Sequence, residues 1–508
     1  MGMKYFMPEI CYHERNSLLS VDIFPYSQDG HYRIVTSSTK SEIRIWEFEY
    51  DPNDPEQISI TFVANLVGHC GTVNQVKFSP NPAAPLLASG DAHGALIVWQ
   101  LVDKECDAHP IDGLPQNRER WTNKKKYFLD NMGVNAISWS PCGKSLACVS
   151  GDGLRVLDAL SGSYRFVLTS FRYFPNGVTY DPEGKYIVVM STDRRLDIIC
   201  ADKGRRIKSF GRADMPEFSL GDAHFAKKNY SLFHSDLLTT FTRVPAFSPC
   251  GQILVAPAGC LELGPSQQFY CTYVFKVSEL KEEDHPKIIL PSPNQPTFLI
   301  KFCPIIYELV PDCPNYSGLP HRVIWLAMSR EEIVFYDSQH AQAIGLIQNI
   351  TYHCLSDAAW SKDGTTIAVS DMEEYMHFIS FTLEEGVVRT EKIRSSYELP
   401  VSDRGEATEK VSSPEFDAEA ALLDLSIQPY VSPSLSPEHD EEKLSGSGEE
   451  TPTIEIRNCC FENNDELTHQ KVRNSLIVIT KNLERTRSKV EEMKANCYDL
   501  INDSYLEF

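Results

Sequence analysis

One short phrase recurs along the first three-quarters of the chain and limits the fold more than any other feature. It is an apolar-alternating strand ending in an aromatic, a tight turn with Pro or Gly, then a second apolar strand running into Ser or Thr. The clearest copies are Val73-Asn74-Gln75-Val76-Lys77-Phe78-Ser79-Pro80 leading to Leu86-Leu87-Ala88-Ser89-Gly90, and Asn135-Ala136-Ile137-Ser138-Trp139-Ser140-Pro141-Cys142-Gly143 leading to Leu146-Ala147-Cys148-Val149-Ser150. Further copies start at Gly177, Val244 and Asp357, and degenerate ones at Leu19 and Phe298. About seven units result, stretched beyond the usual ~40–45 residues by loops.

Period-two alternation places one set of side chains between adjacent sheets, and Gly at the turn accepts the positive φ of a short hairpin. A third strand in most units ends in a large residue, as in Ile43-Arg44-Ile45-Trp46, Leu96-Ile97-Val98-Trp99 and Ile333-Val334-Phe335-Tyr336-Asp337. Sheets of this kind bury their faces only against neighbours, and closing them into a ring reduces the exposed edges. The expected fold is therefore all-β: a seven-bladed WD-repeat β-propeller over residues 1–386. The stretch Lys4–Cys11 precedes the first unit and is expected to supply the outermost strand of the last blade.

Gly68-His69, Ser89 and Trp99 match three parts of the His/Ser/Asp/Trp hydrogen-bonded set that braces many such blades. His93 stands six residues before Trp99, where the acid is expected, so the set reads as incomplete or rewired. His69 is accordingly read as structural, not catalytic. Asp284-His285 and His340 are read as solvated loop residues. The basic run from Arg118 to Lys126 is placed in the long loop between the second and third units, as an import signal, a contact for acidic partner segments, or plain solvated surface.

Beyond about Gly386 the repeats stop. Residues 387–466 read as a disordered acidic linker rich in Pro and Ser, and between Glu398 and Glu466 acids outnumber bases by about fourteen. That stretch carries well over half of the net charge of −22, leaving the propeller near balance. Residues 467–503 are predicted to form an amphipathic helix. Leu476, Ile479, Leu483, Val490, Met493, Cys497 and Leu500 fall on three- and four-residue steps among charged neighbours, which suits a partner helix or packing against the propeller.

Composition narrows the function classes. A strongly acidic chain does not suit direct binding to phosphate backbones, so no direct nucleic-acid contact is expected. Neither a secretory signal nor a run of about 18 apolar residues is present, so no membrane span is expected. The 15 cysteines show no C-x-x-C spacing and read as reduced thiols of the cytosol or nucleus. No nucleophile elbow, phosphate loop or H-E-x-x-H occurs, so no enzyme, metal or cofactor is expected.

Several phrases outside the generic repeat resemble the middle, WD-repeat subunits of chromatin assembly factor one. They are Phe233-His234-Ser235-Asp236 with Phe247-Ser248-Pro249; Pro257-Ala258-Gly259-Cys260-Leu261-Glu262; Thr272-Tyr273-Val274-Phe275; Leu319-Pro320-His321-Arg322-Val323 with Tyr336-Asp337-Ser338-Gln339; and Tyr352-His353-Cys354-Leu355-Ser356-Asp357 before Trp360-Ser361. The resemblance implies a nuclear scaffold subunit of a histone chaperone that deposits newly made histones three and four onto replicating or repaired DNA. It implies three kinds of partner: a large subunit with an acidic region, a small WD-repeat histone-binding subunit, and the histones held through the complex. Relatives of this kind also dock the anti-silencing-function-one chaperone through an Arg-Arg-apolar motif. Here the nearest match, Val472-Arg473-Asn474-Ser475-Leu476, has a single Arg. Two other readings stay open: a replication-independent HIR-type histone chaperone subunit, and a WD-repeat substrate receptor of a ubiquitin ligase.

Overall fold

The computed structural model describes residues 2–382 apart from positions 9, 26–29, 52–53, 82–84, 104–114, 152, 221–222, 236–240, 265–266, 293 and 341. The linker (387–466) and helix (467–503) expected from the sequence lie outside the described residues. Seven four-stranded antiparallel sheets follow one another, each a blade of the propeller. Their innermost strands are Leu18–Ile23, Val73–Phe78, Val134–Trp139, Pro175–Tyr180, Ala246–Phe247, Leu299–Tyr307 and Leu355–Trp360, in the order of the seven repeat units. In blades 1 to 6 the strands lie side by side in chain order.

The seventh blade has only three strands of its own, and its fourth comes from the other end of the chain. Gly2–Phe6 pairs antiparallel with Met376–Thr382, from Gly2 opposite Thr382 to Phe6 opposite Phe378. The expected closing strand is thus present, but it ends at Phe6, before Pro8, which has no N–H to continue a ladder. The seam is also packed: Phe48 of blade 1 stacks on Phe378 of blade 7 with ring centroids 4.2 Å apart. Tyr12, Leu18, Val21, Ala359 and Ala368 complete this apolar contact between the first and last blades.

The repeated turn has one geometry. In Ser140-Pro141-Cys142-Gly143 the Gly143 N–H donates to Ser140 O at 2.8 Å, and Gly143 sits at φ +66°. Gly184, Gly251 and Gly364 repeat both the bond and the angle. Positive φ disfavours a Cβ, and one at Gly143 would also meet Ser79 Oγ at 2.6 Å.

Two regions depart from the sequence reading. The basic run is not a loop: Arg120–Phe128 is the outer strand of blade 2, paired with Ala95–Asp103. Its solvent-facing position explains why it carries so little apolar patterning, and lysines on an outer strand discourage strand addition from other chains. Between blades 4 and 5 the chain forms two further hairpins. Arg212–Met215 pairs with Lys228–Ser231 and Phe218–Leu220 with Ala223–Phe225. Phe225 and Tyr230 pack these hairpins onto the long blade 5 strands Ile253–Gly264 and Gln267–Lys276.

Candidate functional site

The bracing residues expected in blade 2 come together, with a partner that the sequence reading missed. His69 Nδ1 lies 2.8 Å from Asp91 Oδ2, His69 Nε2 lies 2.6 Å from Ser89 Oγ, and Trp99 Nε1 donates to Ser89 Oγ at 2.8 Å. An ionised carboxylate only accepts, so the Nδ1–H points at Asp91 and the Ser89 hydroxyl donates to Nε2. Burial pushes the His69 pKa down although Asp91 opposes it, and a neutral ring fits this ordering. The set is therefore complete. The acid is Asp91, two residues after Ser89, and its other oxygen accepts from the His93 and Ala95 N–H groups, which shapes the turn. His93 contributes its backbone to that turn, not a side-chain acid.

Blade 1 carries a second brace with the same ten-residue step. Trp46 Nε1 donates to Thr36 Oγ1 at 3.0 Å, and His13 Nε2 lies 2.9 Å from the same hydroxyl. Ser38 stands where Asp91 stands in blade 2, and among the described residues His13 Nδ1 has no hydrogen-bond partner. Burial therefore drives the His13 pKa down to about 3. At the ring closure a third histidine is used differently: Asp371 holds His377 Nε2 at 3.0 Å, and the Tyr5 hydroxyl lies 2.7 Å from His377 Nδ1. His340 is also engaged. Its Nδ1 lies 2.8 Å from Asp337, which Arg322 reaches at 2.6 Å, so the solvated-loop reading of His340 is corrected.

Around the central channel the inner strands of neighbouring blades are stitched by side chains. Asn74 donates to Val134 O and Asn135 to Pro175 O, both at 2.9 Å, while Asp22 accepts the Phe78 N–H at 2.8 Å. A buried charge cluster spans the seam: Asp357 of blade 7 meets Lys301 of blade 6 at 3.3 Å and Lys77 of blade 2 at 3.1 Å, and accepts from Ser20 Oγ of blade 1 at 2.7 Å. Burial alone would raise the Asp357 carboxyl, but Lys301 and Lys77 outweigh it and hold it down at about 2.

One face of the ring differs from the other. Alternating strand direction brings the start of each inner strand, the turn between second and third strands, and the end of each outer strand to the same side. Of the twelve exposed large hydrophobic side chains among the described residues, seven lie on that side: Val67, Phe128, Met132, Tyr173, Phe174, Phe241 and Tyr352. The channel opens there into a cavity of about 450 Å³, within the range of roughly 300–1,000 Å³ common for ligand clefts. Leu19, Phe241, Phe298 and Met372 make its wall mostly apolar, and Arg330 and His353 supply its basic groups. Such a face offers apolar area and a socket, which suits the holding of another chain.

The sequence-predicted partner residues Leu476, Ile479, Leu483, Val490, Met493 and Leu500 lie outside the described residues. The exposed aromatics on the channel face were also missed, since single apolar residues in loops leave no periodic signal.

Comparison with known proteins gives a consistent picture. A family model described as the CAF1B/HIR1 beta-propeller domain matches residues 3–386. The chromatin assembly factor 1 B-subunit of Gallus gallus is 30% identical over 434 residues, covering 81% of this chain and 74% of the relative. The protein of the same name from Saccharomyces cerevisiae is 24% identical, covering 74% of this chain and 85% of its own. Protein HIR1 of Kluyveromyces lactis is 24% identical over 391 residues, or 73% of this chain and 42% of the relative.

Proposed function

The chain belongs to the CAF1B/HIR1 beta-propeller family, and from that premise we propose that it is the scaffold subunit of a chromatin assembly factor 1 complex. In this reading it works in the nucleus as part of a histone chaperone, and newly made histones three and four reach replicating or repaired DNA through the assembled complex. Histone-chaperone work needs no bond making by this subunit. It needs a rigid body that holds a large subunit and a small histone-binding subunit in a fixed arrangement.

The observation that carries the reading is the match over residues 3–386, joined to 30% identity with the chromatin assembly factor 1 B-subunit of Gallus gallus. The stitched ring and its apolar face support it physically, because a propeller tied together between its inner strands presents partners without a large ordering cost. The acidic stretch between Glu398 and Glu466 adds a diffuse, salt-dependent attraction for basic histones. The stripe from Leu476 to Leu500 supplies a helical contact for one partner. Purification of the tagged full chain from replicating cells tests this: the other two subunits and histones three and four are expected to come with it. Recovery of HIR-complex subunits or of a ubiquitin ligase instead would overturn it.

A further inference from the structure

We infer that the channel mouth captures a short segment of a partner protein in which a large apolar residue is flanked by carboxylates. The inference deepens the scaffold reading by naming the face and the chemistry of the chain held there.

The socket comes first. The cavity of about 450 Å³ has room for one or two apolar side chains together with the backbone that carries them. Its floor is fixed, because Asn74 and Asn135 are tied to the next blade through Val134 O and Pro175 O. An inserted residue therefore meets a preformed wall, and little is lost in ordering it. Asn176 donates to the carbonyl oxygen of Phe241, which holds that ring's backbone at the rim with the side chain half exposed.

The rim then selects the flanks. Tyr173 and Phe174 stand just before the inner strand of blade 4, and the Arg172 guanidinium lies 5.6 Å from the Tyr173 ring centre. Across the mouth Arg330 uses its Nε on His353 O at 3.0 Å and Glu331 at 3.2 Å, which fixes the guanidinium at the cavity wall. Among the described residues no carboxylate lines the cavity. Glu331, Glu373 and Glu374 lie on the turns beside it, and Asp357 lower in the channel is already shared by two lysines. An incoming carboxylate therefore meets the outward amino groups of Arg330 at the cavity wall and an aromatic rim, whereas an incoming lysine meets that guanidinium. Aromatic and Arg side chains at the edge of a mostly apolar socket are also among the residue types that dominate binding energy at interfaces.

The test uses the full chain and fluorescently labelled nine-residue peptide mixtures. One mixture has Leu, Ile, Met or Phe at the centre with Asp or Glu on both sides; a second has Lys or Arg on both sides; a third keeps the acids but has Ser at the centre. Binding is read by fluorescence anisotropy, with melting temperatures taken for every variant. The first mixture is expected to bind, and Phe241→Ser or Arg330→Glu each to weaken it roughly tenfold or more without lowering the melting temperature. Tyr316→Ser, an exposed aromatic in another loop, should leave binding unchanged.

Equal binding of the basic mixture, equal binding of the Ser mixture, indifference to both rim variants, or no binding at all would each overturn the inference. Purification of the wild-type chain from cells separates this from the broader reading. If the other assembly-factor subunits still accompany a chain that binds no mixture, the site is wrong and the scaffold role stands. If they are missing from the wild type, the scaffold role itself fails.

Discussion

Lys77 Nζ lies 3.1 Å from the Asp357 carboxylate, although 280 residues separate them in the chain and blade 1 lies between their blades. Lys301 approaches the other oxygen of the same carboxylate at 3.3 Å. This acid thus pairs with two largely buried ammonium groups around the place where the ring closes, and Asp22 adds a further carboxylate that both lysines feel. Asp357→Ala should strip both cations of the carboxylate they directly pair with and cost about 3 kcal/mol, at the low end for a broken buried pair because Asp22 remains nearby and each lysine keeps some solvent access. Urea unfolding would measure this; a loss under about 1 kcal/mol would show that water replaces the carboxylate there.

Acid should destabilise the propeller in two stages. His13 has a folded pKa of about 3 against an ordinary value near 6.5, so the unfolded chain takes up a proton that the folded ring refuses. The resulting stability is complete above about pH 6.5 and is lost as pH falls toward 3. His69, lowered by the same burial, adds to that slope. Asp357 contributes stability above about pH 4 that disappears as pH drops through its folded value of about 2. Urea midpoints between pH 8 and pH 4 should therefore decline, and His13→Asn should flatten the decline. An unchanged slope in that variant would remove His13 from the account.

The Ser89 hydroxyl serves His69 and Trp99 at once. Ser89→Ala orphans both ring nitrogens in a buried site and should cost about 2 kcal/mol. Thr36→Ala repeats the experiment in blade 1, where among the described residues no acid hydrogen-bonds to the histidine ring. The two losses should be similar, and neither should alter binding of partners by the channel face.

Closure by the N-terminal strand makes the ring one cooperative unit. Removing Met1 to Cys11 should lower the melting temperature of the whole domain in a single transition, since it strips the outer strand and Tyr5 from blade 7. Tyr5→Phe, which loses only the hydroxyl on His377, should cost about 1 kcal/mol. A truncated chain that melts like the full one would show that the strand is an accessory.

Replacing Leu483 and Val490 together with Asp addresses the C-terminal stripe. A partner helix predicts loss of one specific subunit with an unchanged melting temperature, whereas packing against the propeller predicts a lower one with partners retained. Truncation at Glu398 should weaken histone association modestly and in a salt-dependent way.

The repeated phrase determined by itself that the chain makes seven blades, where each inner strand begins and which turns need glycine. Those features are local: alternation, a turn residue and a terminal aromatic lie within a dozen positions of one another. The same pattern pointed to the N-terminal stretch as the closing strand, because six and three-quarter blades leave one edge open. Beyond the His69, Ser89 and Trp99 set, tertiary structure decided which polar groups meet. Asp91 sits only two residues from Ser89, yet its role emerges when the strand end turns its carboxylate back onto His69. The His13 brace is spaced by a long connection that carries no period. Arg118 to Lys126 looked like a loop because an outer strand buries little and so shows little alternation. The Asp357 cluster, and the aromatic rim of the channel, depend on seven sheets converging on one axis. Ring closure sets that convergence, and no window of sequence contains it.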